Sequence, residues 1–158
     1  MGSDPMQPVA RAERLCGVAL ADMGFGVRIR LPMVIVDRVV ASPPDAVWAV
    51  LTDLEAWPRW GPSISRAALD SGGRYLVPGS TGTVWTLGNV AVPFTVTEFD
   101  AGRRWAWSVG GVPATAHGVE PAPGGCRVWF GVPWWAAPYT AVCAIALRRI
   151  DSLAATRR

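Results

Sequence analysis

The side chains able to move a proton or hold a metal are few in this chain of 158 residues. It has one histidine, His117, so HExxH and multi-histidine zinc sites are impossible. Cys16, Cys126 and Cys143 are widely spaced with no CxxC pair, so no metal site is expected. All fifteen basic residues are Arg, which removes a Walker A lysine, a Schiff-base lysine and a Ser-x-x-Lys nucleophile. A Gly-x-Ser-x-Gly elbow for a serine triad is also missing. The pairs Gly72-Gly73, Gly110-Gly111 and Gly124-Gly125 read as turn formers outside any strand-to-helix phosphate loop. No cofactor is expected.

Two groups remain as proton carriers. His117 is the only side chain whose ordinary pKa lies near neutrality, and it shares a strand face with Thr115 and Val119. Glu98 shares strand parity with Phe94 and Val96; pointed inward, it would have its pKa raised by burial and could act as an acid. The plainer alternatives are a strand histidine without catalytic duty, and a strand-end carboxylate paired with Arg103 or Arg104 across the Ala101-Gly102 turn. Cys126 and Cys143 sit on apolar stripes and read as small buried hydrophobes.

Nine tryptophans in a chain of this size suggest more than packing. Each offers a large apolar surface and one N–H donor, which suits flat hydrophobic ligands with few polar groups. Trp60, Trp85, Trp105 and Trp107 are candidate pocket walls, with Phe94, Phe130, Tyr139, Val142 and Cys143 beside them and His117 as the polar handle. Trp48 and Trp57 read as staples between helix and sheet.

These residues need a scaffold. Val9–Met23 has apolar residues at helical spacing, within an N-terminal extension, residues 1–32, expected to be a short helix or partly disordered. From Met33 the chain is β-branched and reads as a strand. Ser42-Pro43-Pro44-Asp45 then starts a helix, with Ser42 as cap and Pro43 first, and a second short turn over Glu55–Trp57 is stopped by Pro58 and Gly61-Pro62. Turn signals between Ser63 and Pro133 describe an antiparallel meander of about six further strands. Trp105, Trp107 and Val109, and Cys126, Val128, Phe130 and Val132, are assigned to the inner face. A final helix, Pro138–Ala155, carries the stripe Tyr139, Val142, Cys143, Ala146, Ile150 and Leu153. One ligand-binding domain, 33–158, follows, with a cavity expected between sheet and final helix.

Composition agrees. The chain is 51% hydrophobic and 17% charged, against a usual ~25%. Net charge is +3, but no basic run exceeds two residues, so no nucleic-acid partner is expected. Trp134–Leu147 is too short to span a bilayer and is broken by Pro138, so no integral membrane segment is expected. Leu15–Ala21 is brief for a secretion signal, contains Gly17 and lies beside Glu13 and Asp22; with the unpaired cysteines it gives a cytoplasmic expectation.

The stretch Ala41-Ser-Pro-Pro-Asp-Ala-Val-Trp-Ala-Val-Leu-Thr-Asp-Leu-Glu-Ala-Trp-Pro-Arg-Trp-Gly-Pro62 resembles the signature of the START-like helix-grip superfamily, in its polyketide cyclase/dehydrase (SRPBCC) branch. Val96–Asp100, Arg103–Trp107 and Gly124–Val128 are similar to its meander strands, and Leu147–Leu153 to its closing helix. The resemblance implies an α+β helix-grip fold: a curved antiparallel sheet of about seven strands wrapped on a long C-terminal helix, with two short helices after strand one. It also implies binding or transport of a hydrophobic small molecule such as a lipid, polyketide, sterol or quinone. One alternative is a polyketide aromatase/cyclase or dehydratase using His117, with Glu98 second. Another is an interaction module, or a homodimer, built on exposed Trp129, Trp134 and Trp135.

Overall fold

Alternation of apolar and polar side chains, repeated from Met33 to Pro133, gives each strand one apolar face, and the chain buries those faces by curling an antiparallel sheet around its last helix. The computed structural model describes residues 18–20, 25–30 and 32–157. In chain order the elements are β1 (Val18–Leu20), β2 (Phe25–Arg30), β3 (Met33–Val40), α1 (Pro44–Thr52), α2 (Trp57–Trp60), β4 (Ile64–Leu69), β5 (Thr81–Thr86), β6 (Ala91–Asp100), β7 (Arg104–Val109), β8 (Val112–Ala122), β9 (Gly125–Pro133), a 3-10 segment (Trp134–Tyr139) and α3 (Thr140–Ala155). The sheet order is β1-β2-β3-β9-β8-β7-β6-β5-β4. Strands β3 to β9, two short helices and α3 make the helix-grip arrangement, and β1 and β2 prolong the sheet beyond β3. Most of the helix expected over Val9–Met23 lies outside the described residues. Within it, Val18–Leu20 is a strand paired with Phe25–Val27: the hydrogen-bonding edge of β2 outweighs a weak helical periodicity.

The entry to α1 is one residue later than expected. Pro43 occupies the cap position in an extended conformation and Pro44 begins the helix, so Ser42 stands one residue before the cap. Pro58 does not stop the second helix but lies in its first turn, where a missing N–H costs no helical bond. The two helices are joined by indole groups. Trp57 Nε1–H donates to the Leu51 carbonyl at 3.0 Å, and Trp60 Nε1–H donates to Val50 at 3.3 Å, satisfying carbonyls at the C-terminus of α1.

Between them lies Asp53, whose side chain is 0% exposed. Arg74 donates to both of its oxygens at 2.9 and 2.8 Å, Arg157 donates at 2.5 Å, and the Glu55 backbone N–H at 3.1 Å. Burial alone would push this carboxyl up, but the two guanidinium groups and the N–H outweigh it and hold the group below its ordinary range. Asp53 therefore ties the end of α1 to the β4–β5 connection and to the chain beyond α3. Asp53→Asn is expected to lower stability by about 2 kcal/mol, less than for a fully buried pair because both arginines still reach water. The loss, measured by urea unfolding at pH 7, should shrink as pH falls through the folded pKa, where wild-type Asp53 also loses its charge.

Against the inner face, α3 buries Cys143, Ala146, Leu147, Ile150 and Ala154. On the outer face Gly118 lies opposite Trp129, and a Cβ at Gly118 would come within 2.3 Å of that indole. The close packing of Trp129 on β8 thus requires glycine there, and it corrects the reading of Trp129 as exposed.

Candidate functional site

The interior is organised by cross-strand register. Trp105 on β7 pairs with His117 on β8, and His117 pairs with Phe130 on β9, so the three rings form one transverse row on the inner face. His117 stacks on Trp105 with centroids 4.0 Å apart and meets Phe130 edge to face at 4.4 Å. From the helical side Trp57 stacks on Trp105 at 5.5 Å, nearly parallel, and meets Trp107 at 5.1 Å. Phe94 closes the group against Trp57 and Trp107. These rings fill the middle of the space between sheet and helices.

His117 is 2% exposed. Burial pulls its pKa down to about 3, so the ring is neutral at neutral pH. Its Nε2 lies 3.1 Å from Thr115 Oγ1, which also accepts from Trp107 Nε1–H at 3.1 Å, while Nδ1 is buried without a partner. Two consequences follow for Thr115. If Nε2 carries the proton, the Thr115 hydroxyl proton is left for another acceptor; if Nε2 is bare, that proton is taken up by His117.

The open space lies to one end of this aromatic plug. A cavity of about 290 Å³ runs between the ends of β5, β7, β8 and β9 and the 3-10 segment. Val84, Thr86, Trp107, Val109, Ala114, Thr115, Val132, Ala136 and Tyr139 form its main walls, and among the described residues no Asp, Glu, Arg or His lines it. A hollow of about 30 Å³ lies beside it toward α3, between Trp60, Trp107, Phe130 and the α3 residues Val142, Cys143 and Ala146. The two spaces share Ser63, Ile64, Trp107, Thr115 and Tyr139 as boundary. There the Ser63 and Tyr139 hydroxyls are hydrogen-bonded at 2.6 Å. Burial raises the Tyr139 pKa, with the Ser63 bond acting the other way, so the phenol is neutral. Cys143 and Cys126 are pushed up by burial to about 12 and about 11 and are thiols.

The predicted site residues divide accordingly. Trp107 and Tyr139 border both spaces; Trp60, Phe130, Val142 and Cys143 border the smaller one. Phe94, Trp105 and His117 stand behind the wall in the plug. Trp85 borders the cavity at its edge, but its ring lies beneath the Arg66 guanidinium at 3.7 Å, with neighbours Val84 and Thr86 alternating to the inner side. Glu98 does not point inward. A bulge between Val96 and Glu98 inserts one residue and resets parity, so Phe99 turns in and Glu98 is exposed, paired with Arg104. The main cavity also differs from expectation: it is walled by the 3-10 segment rather than by α3, which begins at Thr140, after Pro138. Thr115, Val109 and Ala136 were not singled out as site residues, although Thr115 shares the face of His117 along β8.

Residues 33–153 match the family model described as polyketide cyclase / dehydrase and lipid transport. No curated protein matches the sequence. Among solved structures, a protein from Nitrosomonas europaea is 18% identical, with 82% of this chain and 98% of that one covered and a TM-score of 0.61. An AHSA1-like protein from Aeromonas hydrophila is 15% identical, with 76% and 92% covered and a TM-score of 0.57. A protein from Mesorhizobium loti is 12% identical, with 77% and 95% covered and a TM-score of 0.61. At such identities the likeness is one of fold. Among the described residues no helix is long and apolar enough to cross a membrane. The match over residues 33–153, the helix-grip sheet and the cavity at its end together make this chain a ligand-binding domain that belongs to the polyketide cyclase/dehydrase and lipid transport family.

Proposed function

We propose that residues 33–158 bind a flat, uncharged, mostly apolar molecule of about two fused rings, the size of a naphthoquinone or a small aromatic polyketide, as a cytoplasmic carrier or sensor. The observation that carries this reading is the cavity of about 290 Å³ without a charged side chain, among the described residues, in its wall. A hole of ~150 Å³ accommodates benzene, so this space suits about two rings, while the four rings of a sterol exceed it. Hydroxyls of Ser63, Thr115 and Tyr139 at the inner boundary suit one carbonyl or hydroxyl on the ligand. Cyclase chemistry through His117 is less well supported. A base with a pKa of about 3 is poorly matched to neutral pH, and the ring reaches the cavity only through Thr115.

Calorimetric titration with 2-naphthol, 1,4-naphthoquinone, cholesterol and oleate tests the proposal. The two bicyclic compounds should bind with micromolar affinity and cholesterol should not. Ala114→Phe, which fills the cavity from β8, should weaken naphthol binding at least about tenfold. If no class binds, or if Ala114→Phe leaves affinity unchanged, the cavity is not the site.

A further inference from the structure

The end of the sheet where the cavity opens is unlike the rest of the surface. The β5–β6 turn carries Leu87 and Val90, the β7–β8 turn is followed by Val112, and the 3-10 segment carries Trp134 and Trp135. All five are exposed, Leu87 at 74%, Trp134 at 63% and Trp135 at 58%. Register places them at one end: Trp85 pairs with Ala91, Val109 with Val112, and Met33 with Pro133. Asn89, Gly110 and Gly111 take positive φ and make these turns tight, so the apolar side chains stand on separate tips. Scattered apolar residues are ordinary on a surface, but five gathered around a cavity mouth are not.

The carboxylates of the described residues are segregated along the same axis. The described segments that build this end, residues 56–69, 84–97, 105–119 and 128–145, contain no Asp or Glu, and the acidic residues of β6 begin at Glu98 in its far half. Asp70, Glu98, Asp100 and Glu120 lie toward the opposite ends of their strands, and Asp45 and Asp151 on the helix ends there. Arg66 stands at the mouth end over Trp85, and Arg30 is placed there by its pairing with Met33.

We propose that this end docks on an anionic lipid bilayer, with Leu87, Trp134 and Trp135 entering the interfacial layer and Arg66 facing lipid headgroups. Indole is the side chain best suited to that layer, apolar in its body and polar at one atom. Cationic residues gain from an anionic leaflet, and among the described residues no carboxylate at this end opposes it. A second copy is a poorer occupant: a two-fold interface would set this end, which among the described residues carries no acid, against itself, with no complementary charge. Docking would also direct the cavity mouth toward the bilayer, a consequence that rests on the binding reading above.

Co-sedimentation of the full chain with vesicles tests this. Binding should be clear on phosphatidylcholine vesicles with about 30% phosphatidylserine, weaker on pure phosphatidylcholine, and weaker at high salt. The double substitution Trp134→Ala with Trp135→Ala should reduce it at least about tenfold. Val77→Ser, at an exposed valine in the β4–β5 connection at the other end, should leave it unchanged. Bromine-labelled acyl chains should quench tryptophan fluorescence in the wild type and much less in the double variant. Absence of vesicle binding, or equal loss with Val77→Ser, overturns the proposal. So does a micromolar dimer that the double variant abolishes, since the surface then belongs to a second copy. Ala114→Phe separates the two readings: it should keep vesicle binding while losing naphthol, and naphthol titration without vesicles reports the cavity alone.

Discussion

Stability should fall by about 1.4 kcal/mol for each pH unit below pH 6.5, and His117→Phe should remove most of that slope. The ordinary histidine pKa near 6.5 applies in the unfolded chain, whereas burial holds the folded value at about 3. Between these values the unfolded chain binds one proton more than the folded protein. The stabilisation is therefore complete above about pH 6.5 and is lost as pH falls toward 3, by a total on the order of 4–5 kcal/mol. No carboxylate offsets the penalty: the groups packed on the ring are Trp60, Trp105, Trp107, Phe130 and Thr115. By pH 4 about 3 kcal/mol is lost, a large share of an ordinary domain stability of about 5–15 kcal/mol. Urea unfolding at pH 7.5, 5.5 and 4.5 checks this. The wild-type midpoint should drop across both intervals, by about 1.4 kcal/mol in each, and that of His117→Phe should stay nearly level. An equal drop in both would mean that the imidazole is not the titrating group. Asp53 contributes in a separate, more acidic window, because its folded pKa is held below the ordinary carboxylate range.

The same histidine shows where sequence reasoning stops. Parity along β8 groups His117 with Thr115 and Val119, and all three are indeed buried, yet parity cannot say which neighbours lie across the ladder. That depends on register: Trp105 opposite His117, and His117 opposite Phe130, make the row that excludes water and neutralises the ring. Glu98 turns on a related point: of its two readings, the strand-end carboxylate paired with an arginine across the turn is the one observed, with Arg104 as partner. Its parity with Val96 would put it inside an unbroken strand, but a bulge adds one residue between them, and no Gly or Pro in Val96-Thr97-Glu98 signals it. The strand-rich middle, the final helix and the inner faces of β7 and β9 were legible because alternation and turn residues agree there at every level. The position of the cavity was not. Whether tryptophans line a void or fill one depends on how Trp57 stacks on Trp105 across two elements, a long-range contact without local trace.

Trp57→Ala should be among the most destabilising single changes, costing about 3–5 kcal/mol, while naphthol affinity of the folded variant stays within about threefold. Trp57 is 0% exposed and touches Trp60, Phe94, Trp105 and Trp107, so its removal leaves a large hole among rigid rings with little freedom to collapse. The Leu51 carbonyl would also lose its buried indole donor at the end of α1. Yet Trp57 borders neither the cavity nor the hollow beside it, so the ligand's walls should survive its loss. Trp107→Ala makes the contrast, because Trp107 borders both spaces and donates to Thr115. It should weaken naphthol binding well beyond tenfold while also destabilising the fold. Denaturation midpoints and calorimetric titration at low temperature, where both variants remain folded, separate the two effects. If Trp57→Ala lost affinity as heavily as Trp107→Ala, the plug would be part of the binding site and the ligand would reach into the middle of the sheet.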